Sequence, residues 1–363
     1  MNIIRVALGE RSYPIVVSRD RYRDVARALR ALRLGPLGIV ITNCTTRRLM
    51  GRDVVQTLAA AGWDVAVLEV PDTERAKSST IALRLIHRIA RAAQRQTPTL
   101  FALGGGVVGD VTGYVASAFR RGVPYVQLPT TLLGQVDSAI GGKVGIDLPE
   151  GKNLVGAFYQ PRAVFSAIGV LQTLPSRQLR SGVSEVIKYA AIADTLLLAR
   201  LERRRRAILR GDPAELAWIV QRCAAIKARI VSRDERETLG LRTLLNFGHT
   251  VGHALEAAVG YSARLTHGEA IAIGMAAAAD LGVVVGITPP TSRARLLALL
   301  AAYGLPVTMR GVSVACVERA MAFDKKFLAG NQRWVLVRRL GHAVVVRGVP
   351  PALVRTVMRD RIS

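Results

Sequence analysis

Between residues 38 and 128 short apolar runs alternate with amphipathic stretches, and this alternation restricts the fold more than any other feature of the sequence. The apolar runs at 38–42, 64–70, 99–103 and 123–128 have the length of strands. The intervals at 45–61, 77–94 and 107–120 carry helical spacing of apolar residues. Strands separated by helices cannot pair through tight hairpins, so the pattern predicts a parallel sheet covered by helices. Residues 1–17 hold Arg5, Glu10 and Arg11 among apolar positions, which reads as a strand pair and not as a secretory leader.

The character changes at Pro175. Alanine- and leucine-rich helical segments follow to about residue 305, interrupted at Gly211-Asp212-Pro213, Gly260 and Pro289-Pro290. A strand pair at 334–337 and 343–346 and a last helix end the chain. A length of 363 residues favours two domains over one. The sequence therefore predicts an N-terminal α/β domain over 1–174, with a Rossmann-like parallel sheet for nucleotide binding. A mostly α-helical domain over 175–363 would hold metal and substrate.

The net charge of +25 raises the question of nucleic acid. Only 5% of residues are aromatic and the arginines are scattered, so a solvated basic surface with an anionic ligand site is the better reading. The longest apolar helical run, at 270–279, is stopped by Asp280, which argues against a membrane span. Cys44, Cys223 and Cys316 are isolated and form no pairing framework, as expected of a cytoplasmic protein. Seven of the 51 basic residues are lysine: Lys77, Lys143, Lys152, Lys188, Lys227, Lys325 and Lys326. Lysine is a compact point charge and guanidinium a wide fork, so lysine retained in an arginine-rich chain marks places where shape matters.

Two segments carry chemistry. Leu103 leads into Gly104, Gly105, Gly106, Val107, Val108, Gly109 and Asp110, then into an apolar helix. Glycines let the backbone approach a pyrophosphate, and the helix start supplies N–H groups and a positive dipole end. Thr42-Asn43, the acidic segment from Asp72 to Glu74, and Thr130-Thr131 end neighbouring runs, where ribose hydroxyls would lie. Asp137, Gly142-Lys143 and Gly151-Lys152-Asn153 follow in a polar stretch suited to an anionic ligand. In the second half His249 and His253 share a helical face and His267 follows within nineteen positions. Glu185 lies in an otherwise apolar helix. One carboxylate with two imidazoles is a catalytic metal pattern, and spacing leaves open which two histidines bind.

Together these segments resemble the 3-dehydroquinate synthase family of sugar-phosphate cyclases over most of the chain. The likeness is carried by Gly104 to Asp110, Phe119-Arg-Arg121-Gly, Gln127-Leu-Pro-Thr-Thr131 and Gln135-Val-Asp-Ser-Ala-Ile-Gly-Gly-Lys143. It continues through Gly151-Lys-Asn153, Ser184-Glu-Val-Ile-Lys188, Leu245-Asn-Phe-Gly-His249, His267-Gly-Glu269 and Asp324-Lys-Lys326. The resemblance implies that Glu185, His249 and His267 hold a zinc or cobalt ion and that His253 is catalytic. It puts NAD on Asn43, Asp72, Thr73, Glu74, Arg75, Ala76, Lys77, the 104–110 loop, Thr130, Thr131 and Thr173. Substrate or cofactor contacts fall on Asp137, Lys143, Lys152, Asn153, Lys188, Lys227, Arg242 and Asn246, with one more at Lys325 or Lys326. Arg121 would reach a neighbouring subunit's site in a homodimer. Around Ser166 and Gln172 the chain departs from the family pattern. The implied reaction converts 3-deoxy-D-arabino-heptulosonate 7-phosphate to 3-dehydroquinate and phosphate, through NAD-mediated oxidation, β-elimination, reduction and aldol closure. Other sugar-phosphate cyclases and metal-dependent polyol dehydrogenases are the alternatives.

Overall fold

The structure, a computed structural model, describes residues 2–20, 22–32, 34–148, 150–323 and 332–363. Asp324, Lys325 and Lys326 lie outside the described residues. The chain runs β1 (Asn2–Val6), β2 (Tyr13–Ser18), α1 (Arg23–Ala31), β3 (Leu37–Asn43), α2 (Cys44–Thr46), α3 (Arg52–Ala60), β4 (Asp64–Val70), α4 (Ser79–Ala93), β5 (Thr99–Gly104), α5 (Gly106–Ala118) and β6 (Tyr125–Pro129). A hairpin, β7 (Lys143–Leu148) with β8 (Gly151–Phe158), precedes β9 (Ala163–Ala167). Then come α6 (Ser176–Ala193), α7 (Thr195–Leu209), α8 (Pro213–Arg233), α9 (His249–Ala258), α10 (His267–Val284), α11 (Pro290–Ala302) and α12 (Val314–Phe323). β10 (Arg333–Arg339), β11 (His342–Arg347) and α13 (Pro351–Arg361) complete it.

Two compact units divide the chain: Met1–Pro175 with Gly211–Arg236, and Ser176–Arg210 with Glu237–Ser363. A single boundary after residue 174 is therefore too simple, because α8 belongs to the first unit. There it packs against β1, β2 and the turn at Gly134–Ser138. Asp212 starts it, accepting from the N–H groups of Ala214 and Glu215 at 2.9 and 3.0 Å, with Pro213 in the first turn.

The first unit holds a seven-stranded sheet in the order β1-β2-β9-β6-β5-β3-β4. Only β1 and β2 pair antiparallel; every other neighbour is parallel, as the alternation requires. β5 and β6 are buried along their whole length, so they read as continuous apolar runs. β9 and the β7–β8 hairpin were not anticipated. In the second unit α10 is long and apolar enough to cross a membrane, but 72% of that window is buried, which marks a core helix.

Candidate active site

The glycine segment turns the chain sharply from β5 into α5. A Cβ on Gly104 would run into the Val108 side chain, and one on Gly109 would lie 2.9 Å from Gln127. Gly105 and Gly106 begin the helix, whose first N–H groups have no acceptor within it. Thr130 N donates to Gly104 O at 2.9 Å, which ties the end of β6 to this turn. The arrangement fits a dinucleotide pyrophosphate: N–H groups at a helix start, a positive dipole end and glycines that add no side chain of their own to the turn. Ala76 and Val108 are buried in the core and offer only main-chain atoms. Asn43 caps α2 by accepting from Thr46 N and donates to Asp72 at 2.6 Å, so these two polar groups meet beyond the ends of β3 and β4.

Lys77 is only 4% exposed. Its ammonium donates to Asp110 Oδ2 at 2.8 Å and Asn153 Oδ1 at 2.6 Å, and lies 3.9 Å from Asp147. Burial opposes its charge, but Asp110, Asp147 and Glu74 outweigh that and push it up to about 12. Lys152 pairs with Glu74 at 3.0 Å. The structure thus gathers Glu74, Lys77, Asp110, Lys152 and Asn153 into one network. On the same unit Lys227, from α8, donates to the main-chain oxygen of Asp137 at 2.8 Å and pairs with its carboxylate at 3.0 Å. Lys143 is exposed at the start of β7, and Arg121 is exposed after α5 with a left-handed φ of 63°. The Thr173 hydroxyl donates to Val170 O at 2.8 Å.

The second unit brings four predicted residues together. Glu185 on α6 is fully buried, with Oε1 3.6 Å from Nε2 of both His249 and His267. Ligand atoms of these three residues lie within 4.8 Å of one another. The helices are forced into this approach by small residues. A Cβ on Gly274 of α10 would collide with Gly248 O at the start of α9, and one on Gly268 with the Ser181 backbone of α6. Gly268 N donates to Ser181 Oγ at 3.0 Å. A capping box of Thr266 and Glu269 fixes His267 as the first residue of α10. Burial pushes His249 down to about 3, with Lys188 and the other imidazoles adding to it against Glu185. Its ring is neutral and has a lone pair to give. Burial also works against the His267 cation, but Glu256 and Glu185 hold it at about 10. One buried carboxylate oxygen and two converging ring nitrogens suit a divalent cation. His253 stands beside the trio, its ring 5.1 Å from His249 and 5.9 Å from His267. Arg242 is buried in a short 3-10 turn, and Asn246 at its end donates to Glu237 at 3.3 Å.

Two carboxylates at the edges of these clusters escaped the sequence reading. Glu256 lies one turn after His253 and meets His267 Nδ1 at 3.0 Å. A carboxylate on a buried helix face, three residues from a candidate histidine, was the available signal. Asp147 works through main-chain groups, which leave no pattern in a sequence.

The fold is that of the sugar-phosphate cyclases. The chain matches 2-epi-5-epi-valiolone synthase from Streptomyces hygroscopicus subsp. jinggangensis 5008, solved with NAD+ and Zn2+ bound, at a TM-score of 0.88 and 29% identity, covering 98% of each chain. It shares its fold with a 2-deoxy-scyllo-inosose synthase solved with carbaglucose-6-phosphate, NAD+ and Co2+ (TM-score 0.88, 23% identity, 99% of this chain and 100% of that one). The N-terminal family profile of 3-dehydroquinate synthase matches residues 67–181 and the C-terminal profile residues 182–327. The 3-dehydroquinate synthase of Pelotomaculum thermopropionicum (strain DSM 13744 / JCM 10971 / SI) is 44% identical over 351 residues, 96% of this chain and 94% of that protein. The chain belongs to the 3-dehydroquinate synthase family, and it is an enzyme of that kind, a lyase acting on a phosphate ester.

Proposed function

We propose that the chain converts 3-deoxy-D-arabino-heptulosonate 7-phosphate to 3-dehydroquinate and phosphate, using NAD and a divalent cation, zinc or cobalt. The observation that carries this reading is the convergence of Glu185, His249 and His267 in a chain 44% identical to a 3-dehydroquinate synthase. NAD would lie along the 104–110 turn, with Asn43 and Asp72 near its ribose. When bound, the dinucleotide supplies reversible hydride acceptance and the cation supplies Lewis acidity.

The chain's own residues do the rest. Glu185 brings a buried negative charge and His249 a neutral ring, so the donor set gives up little solvation when it takes a cation. Lys143, Lys152 and Lys227 offer ammonium groups to phosphate and carboxylate oxygens in the first unit, and Lys188 and Arg242 do so in the second. Asp137, Asn153 and Asn246 orient hydroxyls. His253, next to the metal-type cluster but outside its closest trio, is placed to give or take a proton at a substrate oxygen. Arg121, exposed on its turn, would complete the site of a second subunit in a homodimer. The three cysteines, none of them in a disulfide, support a cytoplasmic placement.

Supplying the heptulosonate phosphate with zinc or cobalt and a catalytic amount of NAD should release one phosphate per substrate with no net NADH. Stoichiometric NADH would favour a dehydrogenase instead, and absence of phosphate release would overturn the reading.

A further inference from the structure

The β7–β8 hairpin carries Lys143, Lys152 and Asn153, and its shape depends on Asp147. The strand register shifts between Ile146 and Leu148, so Asp147 is the irregular residue of the pair. Its N–H donates to Lys77 O at 2.6 Å, forming an isolated parallel bridge with Ser78. Its Oδ1 accepts the main-chain N–H of Asn153 at 2.8 Å and stands 3.9 Å from Lys77 Nζ. Asn153 has a φ of 54°, a left-handed conformation that asparagine adopts more readily than most side chains. The Asn153 side chain in turn accepts from Lys77, which also holds Asp110 in the first turns of α5. One carboxylate therefore ties the left-handed residue of the hairpin to the segment before α4, and through Lys77 to the nucleotide turn.

We propose that Asp147 is a positioning residue for the reaction: by accepting the Asn153 N–H it holds Asn153 left-handed and so sets the directions of the Lys152 and Asn153 side chains. The inference rests on the function proposed above, but its geometric part stands without it. Asp147 needs an acceptor oxygen at this reach and not a negative charge as such. Asparagine supplies the oxygen and alanine does not.

The test compares Asp147→Asn, Asp147→Ala, Asn153→Ala and the Asp147→Ala, Asn153→Ala pair in the full chain with NAD and zinc. Asp147→Ala should lower kcat/KM for phosphate release at least tenfold, while Asp147→Asn stays within about threefold of wild type. The pair should lose less than the product of the two single losses, because part of the Asp147 effect runs through the Asn153 side chain. A scaffold-only role predicts the reverse, with losses that multiply. Asp147→Ala within about threefold of wild type, or multiplying losses, overturns the proposal. Should Asp147→Ala not fold, Asp147→Gln, whose longer arm carries the oxygen past the N–H, takes its place. Amide hydrogen exchange of the 150–158 peptide gives a readout free of turnover. Exchange should quicken in Asp147→Ala and stay slow in Asp147→Asn, and unchanged exchange in the alanine variant sinks the inference. If the wild-type chain releases no phosphate, the function falls and this exchange measurement alone decides the positioning.

Discussion

Lys188 and Glu185 stand one turn apart on α6 and form an ion pair whose side chains are 1% and 0% exposed. A pair this deep is stabilised by mutual attraction only while both members are present and well placed. The Lys188 ammonium also lies 4.7 Å from the Tyr189 ring centroid, which leaves a compact charge no room to spread. Lys188→Arg keeps the charge but brings a wide fork that must push Glu185 or Tyr189 aside. Turnover should fall by about a hundredfold, the cost of misplacing groups by about an ångström. Arg205→Lys, on the partly exposed arginine run of α7, should leave the rate within about twofold. Equal rates in the two variants would show that the shape of the Lys188 cation is irrelevant.

Arg121 is exposed and left-handed at the end of the turn that follows α5. A long cation presented in this way suits a contact outside its own subunit. Arg121→Ala and His253→Ala proteins should each be nearly inactive alone. Mixed under conditions of subunit exchange, they should regain up to about a quarter of wild-type activity, since one site in four sites of the mixture is then intact. No regain after exchange has been demonstrated would remove Arg121 from the site.

How legible the fold was depended on whether a feature had a period. β3, β5 and β6 announced themselves because a parallel strand buried on both faces is an unbroken apolar run. The β7–β8 hairpin did not. β8 is exposed at alternating and adjacent positions, and its register relies on Gly145 and Gly156 facing one another, where a Cβ on either would collide with the opposite backbone. Two Gly-Lys pairs then look like two turns. α8 carried no mark of its unit, because buried Leu216, Ile219 and Val220 would suit any neighbour. The candidate trio was visible as residue types, but the preference for His249 and His267 over His253 came from the family likeness. Its physical reason lies in helix crossings set by Gly248, Gly268 and Gly274, which are tertiary facts.

The Glu202–Arg295 pair gives a pH-dependent stability with a definite sign. Arg295 meets both carboxylate oxygens, at 2.7 and 2.8 Å, and this hydrogen bonding holds Glu202 below its ordinary range against the opposing effect of burial. A carboxyl depressed in the folded state contributes stability above its unfolded value, about 4.3, and loses it as pH falls through the folded value. Both side chains are substantially exposed, so screening limits the pair to about 0.5 kcal/mol. Glu202→Gln should lower Tm by about 1 °C at neutral pH, and the difference should vanish in strongly acidic buffer. A difference that grows on acidification would contradict the pairing.

Glu256 is the test of how the metal-type cluster is held. Its Oε2 is 3.0 Å from His267 Nδ1, and His267 Nε2 faces Glu185. A carboxylate on one ring nitrogen keeps the proton there and leaves the other nitrogen to bind a cation, and losing such a partner typically costs about 10- to 100-fold in metal affinity. Glu256→Leu should therefore weaken zinc binding by that factor in a chelator competition. Glu256→Gln, which still accepts a hydrogen bond, should lose only a few-fold. The same carboxylates hold His267 protonated up to about 10 in the metal-free protein, so a cation must displace a proton when it binds. Stability from that proton is complete below the ordinary value of about 6.5 and fades as pH rises through the raised one. Zinc affinity should accordingly climb with pH across about 6 to 9 in the wild type and climb less in Glu256→Leu. Zinc held by Glu256→Leu as tightly as by wild type, with the same slope, would show that Glu256 plays no part in presenting His267.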